Sequence, residues 1–168
     1  VRVHYLYPDL IDDELIDVIA SEPKIVKYLD IPIQHCNSKI LKLMNRRGDG
    51  VFLRELFAKL RERIPGLVIR TSLITGLPGE GEGEFQGLCE FLRDRRLERV
   101  GAFAFSPEEG TAAASFDGEI DGQVKQDRYD VIMKEQLHIV AENNEKYIGK
   151  KMRVICESFD QVAEIYYG

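Results

Sequence analysis

The chain has 168 residues, 44% of them hydrophobic and 31% charged, with a formal net charge of −6. That is material for one ordinary domain, or for one domain with a small appendage, and an acidic surface disfavours broad binding to polyanions. No apolar run reaches the roughly eighteen residues of a membrane span, and no charged-then-apolar leader opens the chain.

VRVHYLYP (1–8) alternates and is rich in β-branched and aromatic residues, which predicts a strand. Ile11, Leu15, Val18 and Ile19 then recur at helical spacing. YLDIPIQ (28–34) reads as the next strand. Asn37 or Ser38 caps a short helix carrying Ile40, Leu41 and Met44. After RRGDG, one helix face carries Leu53, Leu56, Phe57, Leu60 and Ile64, and Pro65-Gly66 ends it. LVIRTSLIT (67–75) is nearly continuous in apolar residues, as expected of a strand buried on both faces.

Phe85, Leu88, Cys89 and Leu92 mark another helix, and ERVGAFAFS (98–106) another strand. A long helix is predicted from about Gly122 to Tyr147, with Tyr129, Met133, Leu137 and Val140 on one side. MRVICE (152–157) reads as a short strand of different texture, and the segment Ile148–Lys151 as a boundary. The chain opens on Val1 and stops in strand-like AEIYYG, which leads to the expectation that both ends are cut from a longer protein.

Strands alternating with helices imply a parallel sheet with helices outside, either a small doubly wound sheet or part of a barrel. In both, ligands gather at the carboxyl ends of the strands. Those ends are Tyr7-Pro8, Gln34-His35, Thr75-Gly76 and Phe105-Ser106-Pro107.

The third of these ends runs into LITGLPGEGEGEF (73–85). A phosphate loop of the Walker type needs a lysine after its last glycine, and no lysine occurs from 60 to 124. Glu80, Glu82 and Glu84 would satisfy the helix N-terminus themselves and repel phosphate. The loop is at least a tight turn, with Gly76 and Gly79 in unusual backbone conformations. Gly76 would also let a planar ligand such as adenine lie against the backbone, beside the flat apolar wall Ile74–Leu77.

Gln34 and His35 are polar groups at a strand end, and either contact a ligand or satisfy nearby backbone. Arg70, inside an apolar strand, needs a partner: a ligand's carboxylate, or Asp30 of the neighbouring strand. Ser72 and Thr71 are expected to serve the same pocket. Lys39, Lys42, Arg46 and Arg47 read as a solvated basic face or an RNA-facing strip. Cys36, Cys89 and Cys156 form no CxxC pair, so neither zinc nor a disulfide framework is suggested. Free thiols fit a reducing cytosol, and a cytoplasmic location is expected.

Three stretches carry a resemblance: YLDIPIQHCNSKILKLMNRRG (28–48), IRTSLITGLPGEGEGEF (69–85) and RVGAFAFSPEEGTAA (99–113). In this order and spacing they resemble the methylthiotransferases of the radical S-adenosylmethionine superfamily. Their EEGT and DIPIQH forms favour the branch that modifies an aspartate of a small-subunit ribosomal protein over the tRNA-adenosine branch.

The resemblance implies an α/β fold: the carboxyl-terminal portion of a partial (β/α) TIM-type barrel over 1–148, then the start of a small β-barrel, the TRAM domain, over 149–168. It implies S-adenosylmethionine as cofactor, contacted by Gln34, His35, Arg70, Ser72, Gly76, Phe105 and Ser106. It also implies two [4Fe–4S] clusters in the parent protein, a sulfur donor, and a ribosomal protein or the assembled ribosome as partner. The CxxxCxxC motif that holds the radical-generating cluster is missing from the sequence, so the isolated chain is expected to be inactive and to hold no metal. The family usually shows GFPGET where this chain has Leu77 and Gly81.

Two other classes compete. One is a non-catalytic module docking on ribosome or RNA. The other is a small hydrolase using Ser106 with His35, which no GxSxG elbow supports. An incomplete barrel leaves open sheet edges, so pairing between copies of the chain is expected.

Overall fold

A computed structural model describes residues 1–153 and 155–167. Three strands, β1 (Tyr28–Asp30), β2 (Val68–Thr75) and β3 (Arg99–Ala104), form one sheet in the order β1-β2-β3. Both pairings are parallel, with Asp30 opposite Arg70 and Arg70 opposite Arg99. Parallel neighbours require helical crossovers. These are α2 (Ser38–Leu43) and α3 (Gly50–Arg63) between β1 and β2, and α4 (Glu82–Arg95) between β2 and β3. Helix α1 (Asp13–Ser21) precedes the sheet and α5 (Gly122–Glu145) follows it.

Side-chain oxygens start four of the helices. Asp12, Asn37, Asp49 and Asp121 each accept from backbone N–H groups in the first turn, which removes orphan donors. The core lies between the sheet and the helices. Leu53, Leu56, Phe57 and Leu60 of α3 and Phe85, Leu88, Phe91 and Leu92 of α4 are buried on it, with the Phe57 and Phe91 rings 6.0 Å apart.

Strand β2 alternates rather than burying both faces. Ile69, Thr71, Leu73 and Thr75 lie under the helices, while Arg70, Ser72 and Ile74 look out from the other face. The reason is chemical: two of the three outward residues are polar and would be costly to bury without partners.

The opening segment forms no ladder. Val3 makes a single parallel bridge to Leu29, and the Leu6 N–H donates to the Asp30 carbonyl. Tyr5, at φ 58°, breaks the extended run between them.

The strand expected over 28–34 also stops early. Pro32 has no N–H to donate, and Gln34 sits at φ 67°. The Ile31 N–H reaches the Arg70 carbonyl and the Gln34 N–H reaches the Ser72 carbonyl. The first chain thus carries one residue more than the second, which is a bulge. Thr71 mends it: its hydroxyl donates to the Ile31 carbonyl (2.8 Å) and accepts from the Ile33 N–H (3.2 Å).

Two helix faces differ from the periodic reading. In α1, Ile16 and Ile19 are buried and Val18 is exposed. In α5 the inward stripe is Lys125, Arg128, Ile132, Gln136 and Ile139, whereas Leu137 is exposed. The polar members of that stripe have partners in the fold, so hydrophobic spacing alone misplaces it.

After α5 the chain turns through Gly149, at φ 74°. The strand expected over 152–157 is not formed among its described residues, and Val154 lies outside them. Instead β4 (Ser158–Asp160) and β5 (Ile165–Tyr167) make an antiparallel hairpin. All its described residues are exposed, so no buried face fixes where its strands fall.

The Thr71 brace yields a test. Thr71→Val keeps shape but strands the Ile31 carbonyl and the Ile33 N–H in the interior. A loss of about 1–3 kcal/mol is expected from unsatisfied buried groups, read by urea denaturation. A loss below about 0.5 kcal/mol, within the scatter of surface changes, would show that the bulge does not rely on it.

Candidate functional site

The outward face of the sheet carries Arg70, Ser72 and Ile74 from β2 and Phe103 from β3. At its carboxyl end lies a cavity of about 410 Å³, lined by Tyr5, Leu6, Tyr7, Pro32, Gln34, Arg46, Ser72, Ile74 and Phe103. Gln34 is there because of the bulge. Its N–H donates to Ser72 (2.9 Å) and its carbonyl accepts from Ile74 (2.8 Å). The left-handed elbow therefore sits beside both β2 residues that line the cavity.

Ile74 and Phe103 continue into a neighbouring hollow lined also by Phe105 and Ser106. A third hollow joins Ile74 and Phe105 to Leu43, Leu77 and Phe116. The three form one mostly apolar trough along the strand ends, with polar groups concentrated near Gln34. That is the usual make-up of a small-molecule site.

Of the seven residues expected to contact a cofactor, Gln34 and Ser72 line the cavity, and Phe105 and Ser106 line the adjoining hollow. Arg70 is on the same face. One of its terminal nitrogens lies 2.9 Å from each oxygen of Asp30, which is itself buried. The neighbouring-strand carboxylate is thus its partner in this structure.

His35 and Gly76 lie behind the face. His35 is fully buried, and its Nδ1 accepts from the Asn37 N–H at 2.9 Å. Its Nε2 faces Glu80 at 3.5 Å. The Ser106–His35 dyad of the hydrolase reading is therefore not formed, since both imidazole nitrogens are directed elsewhere.

Gly76 does adopt a turn conformation, at φ 75°. The space a Cβ would fill there is occupied by Lys125 of α5, whose Cγ would be 2.4 Å away. A helix, rather than a planar ligand, makes the close approach.

Glu80 explains the acidic loop. Its side chain is buried, one oxygen accepting from the Gly76 N–H (3.0 Å) and the other from Arg128 (2.8 Å). Arg128 also donates to the Glu80 carbonyl at 2.7 Å. Glu84 accepts from the Gly81 N–H at 2.9 Å and pairs with Lys39 at 3.1 Å. The Lys39 ammonium, with that N–H, holds the Glu84 carboxyl below its ordinary range. Carboxylates thus fill the donors a phosphate would need.

The sequence reading missed Arg46 as a cavity residue, because its spacing with Lys39 and Lys42 suggested a solvated face. Its guanidinium lies 5.4 Å from the Tyr7 ring centre and donates to the Pro32 carbonyl at 2.9 Å. Burial lowers its pKa, yet a guanidinium stays charged. Elsewhere Arg93 pairs with Glu135, Arg95 with Asp94 and Arg96 with Glu142.

Cys36 and Cys89 are buried and Cys156 is exposed. Burial pushes the Cys36 thiol up to about 12 and the Cys89 thiol upward as well, the opposite of what a thiolate ligand requires. Among the described residues, no cluster of histidine, cysteine and carboxylate side chains is placed to hold a metal. The residues present fit a small organic cofactor in the trough and do not fit an iron–sulfur cluster.

Residues 1–92 match the radical SAM superfamily. The chain is 49% identical over 157 residues to the ribosomal protein uS12 methylthiotransferase RimO of Anaeromyxobacter sp. (strain Fw109-5), covering 94% of this chain and 33% of that protein. It is 44% identical over 165 residues to the protein of the same name from Geobacter sulfurreducens, covering 98% and 37%. The chain thus spans about a third of the length of the curated relatives it matches.

Among solved structures, coproporphyrinogen III oxidase (HemN) from Escherichia coli, a radical SAM enzyme, superposes with a TM-score of 0.64 at 20% identity, over 85% of this chain and 32% of that one. The radical S-adenosylmethionine methyltransferase TsrM from Kitasatospora setae gives a TM-score of 0.51 at 17% identity, over 62% and 20%. Both likenesses concern the fold: a partial radical SAM α/β architecture with a parallel sheet.

Gly76→Ala tests the loop geometry. The new methyl would meet Lys125 and strain a positive φ, for an expected loss of about 1–3 kcal/mol in thermal or chemical unfolding. Unchanged stability would mean that α5 does not press on this turn.

Proposed function

This chain belongs to the radical SAM superfamily, and we propose that it forms the carboxyl-terminal part of the S-adenosylmethionine-binding barrel of a methylthiotransferase. Its proposed substrate is an aspartate of ribosomal protein uS12. The observation that carries this reading is the trough itself. Gln34, Ser72 and Arg46 gather polar donors and acceptors at one end, and Ile74, Phe103 and Phe105 extend an apolar wall from it.

S-adenosylmethionine has matching ends. Its amino-acid group is charged and hydrogen-bonding, and its adenine is flat and largely apolar. Gln34, Ser72 and Arg46 would hold the polar end, while Ile74, Phe103, Phe105 and Ser106 would face the adenine. Gly76 and His35 serve this seat from behind, and the Arg70–Asp30 pair stiffens the wall below it. When bound beside a reduced [4Fe–4S] cluster, the cofactor supplies a carbon-centred radical. The described residues provide no ligands for that cluster, or for a second one taking part in sulfur delivery, so those ligands belong to other parts of the parent protein. Without them the isolated chain would not turn over.

Residues 149–168 would begin a TRAM domain, and the enzyme would work in the cytoplasm with a sulfur donor. In the isolated chain, the unpaired edge of β3 would pair with another copy. The tRNA branch shares the machinery. What favours the ribosomal protein is the naming of relatives at 44–49% identity as uS12 enzymes, together with the net charge of −6, which disfavours a polyanionic substrate.

The complete protein carrying this chain, reconstituted anaerobically with iron and sulfide, is expected to cleave S-adenosylmethionine. It is also expected to add a methylthio group to an aspartate of uS12, read by peptide mass spectrometry. Modification of tRNA instead would move it to the other branch, and no cofactor cleavage would sink the radical reading. In the same protein, Gln34→Ala and Ser72→Ala are each expected to weaken S-adenosylhomocysteine binding about tenfold, the effect of one lost hydrogen bond, by calorimetry. Wild-type affinity in both would place the cofactor elsewhere.

A further inference from the structure

The Asn37 N–H donates to His35 Nδ1, so that nitrogen carries no proton. In the neutral imidazole the proton then sits on Nε2. This N–H is fully buried, has no hydrogen-bond partner among the described residues, and faces Glu80 Oε2 at 3.5 Å. Buried polar groups rarely go unpaired without a reason. Glu80 is anchored independently, to the Gly76 N–H and to Arg128 of α5. His35 itself directly follows Gln34, the left-handed elbow that lines the cavity.

We propose that His35 is a positioning residue: its Nε2–H, directed at the anchored Glu80 carboxylate, sets the Gln34 elbow relative to the Gly76 turn. This deepens the reading above and rests on it for the identity of the ligand. The two strand ends that frame the trough are thereby held by one buried carboxylate. Glu80 fixes the β2 end through the Gly76 amide and the β1 end through the imidazole. Helix α5 supplies the counter-charge through Arg128. None of the three groups needs to touch the cofactor.

The two nitrogens of His35 can be replaced one at a time. Asn resembles the Nδ1 side and keeps the link to Asn37; Gln resembles the Nε2 side and keeps a donor directed at Glu80. In the 168-residue chain labelled with ¹⁵N, long-range imidazole spectra are expected to show the Nε2-protonated tautomer of His35. The backbone amides of Gln34 and Gly76 are expected to shift in His35→Asn and Glu80→Gln, and to return toward wild type in His35→Gln. In the reconstituted parent protein, S-adenosylhomocysteine affinity is expected to fall about tenfold in His35→Asn and to recover in His35→Gln.

An Nδ1-protonated tautomer, or unshifted Gln34 and Gly76 amides in a folded His35→Asn, would overturn the proposal. Equal behaviour of the Asn and Gln variants would do the same, since a purely space-filling role would not distinguish them. If the wild-type parent fails to bind the analogue, the cofactor assignment fails. The tautomer and amide shifts then still decide the positioning role, because they are read without ligand.

Discussion

A carboxylate removed from water must be paired, and the buried side chain of Glu80 organises the carboxyl end of the sheet. It takes the Gly76 N–H at the end of β2, the Arg128 guanidinium of α5, and the approach of His35 after β1. Losing any one donor would leave charge or a polar hydrogen uncompensated in the interior. The strand-to-helix turn, the last helix and the Gln34 elbow are therefore tied to a single anion. The same arrangement accounts for a loop rich in glycine and glutamate that is unsuited to phosphate. Its acidic groups are aimed at its own backbone and neighbouring cations.

The division of labour across the sheet follows from this. Helices cover one face, with Phe57, Phe91 and Leu92 in the core. The other face carries Arg70, Ser72 and an exposed Phe103. Bulging the chain at Pro32 turns Gln34 toward that face, and Thr71 satisfies the backbone groups the bulge disturbs. A structural irregularity and a candidate ligand contact thus have the same origin, as is common where bulges border sites.

Much of this was legible in the sequence where burial and pattern coincide. The helices carrying Leu53–Leu60 and Phe85–Leu92 and the strand over 68–75 fall where apolar spacing places them, and the parallel order follows from the alternation of strand and helix. The failures share a cause. In α5 the buried stripe runs through Lys125, Arg128 and Gln136, which bury because they find Glu119, Glu80 and the Leu97 carbonyl. A hydrophobic periodicity cannot see such partners. The first segment and residues 152–157 misled for a related reason. Their β-branched and aromatic residues are largely exposed, so composition suggested strands that no packing locates. Arg46 was legible as a charge but not as a cavity wall, since its place depends on the Pro32 carbonyl and the Tyr7 ring.

The seat of the cofactor is the point on which the account turns. A crystal structure of the parent protein with S-adenosylhomocysteine tests it most directly. The amino-acid end of the ligand is expected within hydrogen-bonding reach of Gln34, Ser72 or Arg46, with the adenine along Ile74 and Phe105. The His35–Glu80 contact is expected to lie behind that seat without touching the ligand. A ligand bound away from the trough, or in direct contact with the Glu80 carboxylate, would contradict it.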